Sequence, residues 1–277
     1  MSTVSQENIN RWIEQSDIDY IGHYIKAWIP FNAWYNNTFQ SLSTDREKIN
    51  EIKHNPNTVR NAINSLMEAE SALSMEFKSH LASLIFHTAE QNILGRDGVI
   101  NFENIIKLKN SENQKSEEFG LNKYFVKRID GIGIGQVTQV QVNVKRKSNN
   151  TSVFSYSHTD YDLEHLQNHP SYQSQSTQIK TQIRIYYQQL KPYETISIIE
   201  SDIKESPKNY YKCDNLNLKR DTTNTACYAH NVVKALIEVL YQLRNVVFHG
   251  ELVPNRDAQK IYNSAFHLLK IILEKIR

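Results

Sequence analysis

The 277-residue chain holds only two cysteines, Cys213 and Cys227. Two thiols build neither a disulfide scaffold nor a four-thiolate zinc site, so both read as ordinary thiols. No stretch approaches eighteen consecutive apolar residues, which excludes a membrane-spanning helix. Met1–Asn10 lacks both a basic start and an apolar run, so it does not read as a signal peptide. Apolar residues make up only 39% of the chain. These absences point to a soluble, intracellular and therefore cytoplasmic protein. The ten histidines invite a metal reading, but no HExxH or cysteine–histidine spacing accompanies them. His158, His165 and His169, near Asp160, Asp162 and Glu164, read as a polar surface segment. His80 and His87 read as surface or interface positions. Neither a metal nor a cofactor is expected.

The formal net charge is only +2, yet it is unevenly spread. Residues 1–122 carry 11 Lys/Arg against 16 Asp/Glu, and residues 123–277 carry 21 against 14. The basic excess is densest at Lys123, Lys127 and Arg128 and at Lys145, Arg146 and Lys147. Basic residues clustered on one element form a footprint for a polyanion, so these six are candidate RNA contacts. The competing expectation is a solvated strand end or hairpin tip.

The ends of the chain read as helical. Asn10–Phe39 carries Trp12, Ile13, Tyr20, Tyr24, Trp28, Phe31 and Trp34, with Pro30 predicting a break or kink near Trp28–Ile29. Asn55–Asn57 marks a turn. Thr58–Asn92 repeats apolar residues at three and four as one long helix, stopped by Gly95 and Gly98. The middle changes character. Asn110–Glu118 reads as a polar loop, and Lys123–Asp130 and Gln136–Lys147 read as strands joined by the flexible turn Gly131–Gly135. Thr151–Ser157 adds a short strand. Ser171–Lys191, rich in tyrosine and glutamine, reads as helix and ends at Pro192; its Tyr186 and Tyr187 read as packing rather than RNA-stacking residues. Ser201–Asp221 reads as irregular. Thr225–Phe248 and Asp257–Ile276 are strong helices. The fold class is therefore mainly α. It is a bundle of residues 1–95 and 225–277 around a mixed α/β insertion, residues 96–224, with a small antiparallel element.

Leu236–Glu251 (LIEVLYQLRNVVFHGE) carries the chemistry. Leu236, Leu240, Leu243 and Val247 fall within about 60° of one another on a helix and define its buried stripe. Asn245 and His249, four apart, share a face roughly opposite, flanked by Arg244. Arginine offers five fixed donors to phosphate oxygens. An imidazole exchanges protons near neutral pH, and Asn245 holds the imidazole or a phosphate oxygen. The plain alternative is that His249 and Gly250 simply end the helix.

Arg244–Asn245–Val246–Val247–Phe248–His249 resembles the signature of HEPN domains: arginine, usually a polar residue, then histidine after four to six intervening positions. Ala27–Tyr35 is similar to the aromatic first-helix segment of bacterial members. The resemblance covers roughly residues 10–95 and 225–277. It implies a HEPN-like bundle acting as a metal-independent endoribonuclease, with a composite site across a homodimer. Arg244 and His249 would be catalytic and Asn245 supporting. A ribose 2′-hydroxyl would attack the adjacent phosphate, giving 2′,3′-cyclic phosphate and 5′-hydroxyl ends. It further implies RNA as substrate, a toxin or antiviral role, and an antitoxin or regulatory protein as partner. Glu251 stands where toxins paired with a minimal nucleotidyltransferase carry a tyrosine, so that pairing is not expected. The second functional class is a non-catalytic RNA-, nucleotide- or protein-binding module using the insertion.

Overall fold

The computed structural model describes residues 5–9, 18–95, 98–103, 105–131, 135–200, 210–220 and 230–277. Trp12, Ile13, Cys227 and the middle of the Gly131–Gly135 turn lie outside them. The fold is predominantly helical with an internal mixed α/β region. It divides into two units, residues 1–106 with 197–277, and residues 107–196. The inserted unit is thus shorter at both ends than the 96–224 expected from composition.

In the first unit, helix α1 (Tyr20–Thr38) is followed by α2 (Asp45–His54), α3 (Thr58–Glu68) and α4 (Ala72–Gln91). The hairpin β1 (Leu94–Gly95) and β2 (Gly98–Val99) comes next. After the insertion come the hairpin β9 (Tyr210–Cys213) and β10 (Leu216–Lys219), and helices α8 (His230–Phe248) and α9 (Arg256–Ile276). Helix α9 packs on α1, α3 and α4, and α8 packs on α2 and α3. The two chain ends therefore share one core.

Helix α1 buries Tyr24, Trp28, Phe31 and Tyr35, spaced by three and four. It runs unbroken through Pro30, contrary to the expected break. Trp28 and Phe31, on either side, are anchored in the core and pack edge-on at 5.1 Å. The proline itself is exposed, and tertiary packing overrides its local preference. The long helix expected over Thr58–Asn92 is two helices. Ser71 caps the second by accepting from the Ser74 amide, which diverts the backbone at a position where the apolar rhythm gives no warning.

The second unit is built on the antiparallel sheet β4 (Gln114–Phe119), β5 (Asn122–Asp130), β6 (Val137–Arg146) and β7 (Ser152–His158), in that order. Helices α5 (Leu163–Asn168), α6 (Pro170–Gln173) and α7 (Thr177–Gln189) accompany it, and β3 (Ile106–Lys109) pairs with β8 (Tyr193–Ile196). One sheet face supplies Tyr124, Val126, Val140, Val142, Val144, Phe154 and Tyr156 to a core completed by Leu166, Tyr172, Ile183, Tyr187 and Leu190. Tyr186 and Tyr187 serve this packing: Tyr186 lies 5.5 Å from Tyr124, and Tyr187 stacks on Tyr161 at 4.5 Å.

Strand β4 replaces the loop expected at Asn110–Glu118. It is an almost wholly exposed edge strand, registered by backbone pairing to β5, so it shows no apolar alternation. Of Ser201–Asp221, expected as irregular, residues 210–220 are described, and they carry hairpin β9–β10. Asp214 turns it with φ of 50°, and the Tyr211 hydroxyl donates to Glu68 Oε1 at 2.6 Å. That contact, with the Cys213 thiol donating to the Lys78 carbonyl, assigns the hairpin to the helical unit.

Candidate functional site

Helix α8 is a central helix. From Val232 to Leu243 most of its residues are buried, and it reaches the surface only in its last turn. Two buried hydroxyls peg it: Tyr24 donates to the Leu240 carbonyl at 2.5 Å, and Tyr262 donates to the Leu243 carbonyl at 2.7 Å. Burial pushes both phenols well above their ordinary titration range, so they remain donors.

The helix ends in a Schellman turn. The Glu251 amide donates to the Val246 carbonyl at 2.9 Å, and the Gly250 amide donates to Val247 at 3.1 Å. Gly250 takes φ of 69°, the left-handed conformation that glycine adopts without penalty. His249 therefore does cap the helix end, and its side chain stands exposed there. The turn folds back over Val246, which is buried, while Val247 is only partly covered. Val246 thus takes the place in the stripe that periodicity assigned to Val247.

The opposite face is not simply solvated. Glu238, Gln242, Asn245 and His249 follow at i, i+4, i+7 and i+11, a polar stripe on an otherwise apolar helix. Helix α2 covers its first half. Arg46 Nη1 donates to both Glu238 oxygens at 2.8 Å, and Lys53 Nζ donates to Oε2 at 2.6 Å. Gln242 donates to Oε1 at 3.0 Å. The Arg46 guanidinium also sits 4.4 Å above the Tyr241 ring. Burial alone would raise the Glu238 carboxyl, but the charges of Lys53 and Arg46 outweigh it and hold the group down at about 2.

Beyond this anchor the stripe opens into a cleft of about 290 Å³, lined by Arg46, Gly95, Tyr241, Gln242, Arg244, Asn245, Val246, His249 and Glu251. Strand β1, against α8, provides one side. Arg244 stacks on Phe248 at 4.3 Å and donates to Asn245 Oδ1 at 2.9 Å. Its Nη2 lies 3.5 Å from Asp45 Oδ2, at the first turn of α2. The buried Arg244 Nε meets no acceptor among the described residues. The structure thus brings Arg244, Asn245 and His249 to one cleft. Sequence reading missed Asp45, Arg46, Glu238 and Gln242. A lone acid inside the apolar run LIEVLYQL was the available signal.

The proposed cationic footprint fares differently. Arg128 is removed from it. It is fully buried, bonded to Asp130 through Nε at 2.5 Å and Nη2 at 3.3 Å. It also donates to the carbonyls of Asn110, at 2.8 Å, and of Leu190. Strand alternation explains this: Arg128 is in phase with the buried Tyr124 and Val126. Lys123 and Lys147 pair with Glu118 at 3.1 and 3.0 Å, and Lys127 is partly buried. Lys145 and Arg146 remain exposed on β6. These residues belong to the second unit, whereas the cleft belongs wholly to the first.

The histidine-rich segment is tied into the second unit's own packing. The Tyr156 hydroxyl and His165 Nδ1 share a hydrogen bond of 2.9 Å, and His158 stacks on His165 at 4.0 Å. Among the described residues no helix is long and apolar enough to cross a membrane. No family model, no curated protein and no solved structure matches this chain.

Proposed function

We propose that this chain is a HEPN-type, metal-independent endoribonuclease, working in the cytoplasm as a toxin or antiviral effector and active as a homodimer. The observation that carries the reading is the convergence of Arg244, Asn245 and His249 on one cleft beside a second guanidinium, Arg46. Phe248 and Val253, close in sequence to the cleft residues His249 and Glu251, are 56% and 73% exposed, apolar area suited to a second copy.

In this reading His249 accepts the proton of a ribose 2′-hydroxyl as its oxygen attacks the adjacent phosphorus. Arg244, stiffened by Phe248 and Asn245, donates to the non-bridging oxygens as charge builds there. The bond to the 5′-oxygen breaks, and His249 of the partner subunit returns a proton to that leaving group. The products are a 2′,3′-cyclic phosphate and a 5′-hydroxyl, with RNA as the substrate. An antitoxin or regulatory protein would hold the activity in check. Incubating purified protein with RNA and a chelator, then mapping the fragment ends, tests the reading. Loss of cleavage in a folded His249→Ala variant supports it, and cleavage by that variant refutes it.

One observation favours a second reading, a non-catalytic binding module. Each cleft guanidinium already faces an acid, Asp45 for Arg244 and Glu238 for Arg46, and Glu251 adds another carboxylate. That reading predicts RNA or protein binding without strand scission.

A further inference from the structure

A second cluster of reactive side chains shares no residue with the cleft. Glu76 and His80 stand four apart on α4, hence on one face. His267 reaches the same place from α9, which packs against α4. The two imidazole rings are parallel, 3° apart in plane and 4.5 Å between centroids. Glu76 Oε1 lies 4.0 Å from His80 Nε2, and one donor atom from each of the three residues lies within 4.8 Å of the others. Glu76 is exposed and both histidines are partly buried, so the cluster is open to solvent on one side.

We propose that Glu76, His80 and His267 bind one divalent transition-metal ion, zinc by its donor set, and that the ion ties α4 to α9. Two imidazole nitrogens and one carboxylate suit zinc rather than magnesium or calcium, which prefer all-oxygen shells. Three protein donors leave a fourth tetrahedral position for water. Bonds of about 2.0–2.1 Å place tetrahedral donors about 3.3 Å apart. Closing the cluster to that spacing takes rotation of the two imidazoles out of their stack and a swing of the exposed Glu76 carboxylate. A lone Glu–His pair along one helix is an ordinary surface feature. The third donor, delivered from a different helix onto the same point, makes the cluster a chelate.

The test uses the full chain, stripped with a chelator and titrated with Zn²⁺ alone by calorimetry. A parallel titration with Co²⁺ follows the visible absorption that four-coordinate cobalt shows. One ion should bind per chain, and zinc should raise Tm. His80→Ala and His267→Ala should each weaken binding by more than the roughly 10–100-fold that loss of an outer-shell partner costs. His87→Ala is the control, since that α4 histidine lies outside the cluster, with Glu90 at 3.9 Å and the Phe86 ring at 5.3 Å. Glu76→Gln, at an exposed position, serves if either histidine variant fails to fold. Absence of saturable binding overturns the proposal. So does one-ion binding that survives in the His80→Ala/His267→Ala double variant or is unchanged in Glu76→Gln. The RNA assay runs in chelator, so the two proposals fail independently.

Discussion

Replacing Glu238 with glutamine tests how α2 is held against α8. The wild-type carboxylate has only 8% of its side chain exposed and accepts from Arg46, Lys53 and Gln242. Its ordinary value is 4.5, and in the fold it is held down at about 2. At about 1.4 kcal/mol per pH unit the gap is worth about 3 kcal/mol. The sign follows from proton uptake. The unfolded chain binds the proton first as pH falls, so this stability is complete above about pH 5 and drains away towards pH 2. Glu238→Gln should therefore lose about 3 kcal/mol at pH 7, and its deficit against wild type should shrink steadily below pH 5. Urea unfolding of both proteins across pH 3–7 measures it. The partners should contribute unequally. Lys53 has 12% of its side chain exposed and Arg46 has 41%, so Lys53→Met should cost more than Arg46→Ala, whose half of the network is screened by solvent. A deficit that is constant across that pH range would refute the ion-pair account.

Arg128→Met should destabilise the inserted unit by about 3–5 kcal/mol, because it strips Asp130 of its buried partner and orphans the Leu190 and Asn110 carbonyls. Thermal unfolding reads this, and weakened RNA binding with unchanged Tm would contradict it. Gly250→Ala meets no steric obstacle but forces a side chain into φ of 69°. A loss of about 1–2 kcal/mol is expected from urea midpoints, and a neutral result would argue against the Schellman turn.

The end helices and the central valine-rich strands were legible because their apolar periodicity is long. Three kinds of feature were not. Strand β4 and hairpin β9–β10 are specified by backbone pairing and by contacts from distant residues such as Glu68, which leave no local pattern. At Pro30 the anchoring aromatics of α1 overrule the proline, whereas at Ala69–Ser71 a cap overrules the periodicity. Arg128 was misjudged because charge was counted without strand phase; alternation with Tyr124 and Val126 already placed it inside. For the site, helical spacing grouped Asn245 with His249, and both line one cleft. It could not show that α2 brings Arg46 to the same cleft and Asp45 against Arg244, or that Glu238 holds α2 there. Likewise His80 and His267 lie 187 positions apart in the numbering, and only the packing of α9 on α4 joins them.

The proposed chemistry places RNA cleavage on Arg244 and His249 without a metal ion. End mapping of RNA treated, in chelator, with wild type, His249→Ala and Arg244→Ala, each first matched for Tm, tests it. Wild type should leave 2′,3′-cyclic phosphate ends, and either variant none above background. Intact RNA with wild type, or equal cleavage by all three proteins, would contradict it.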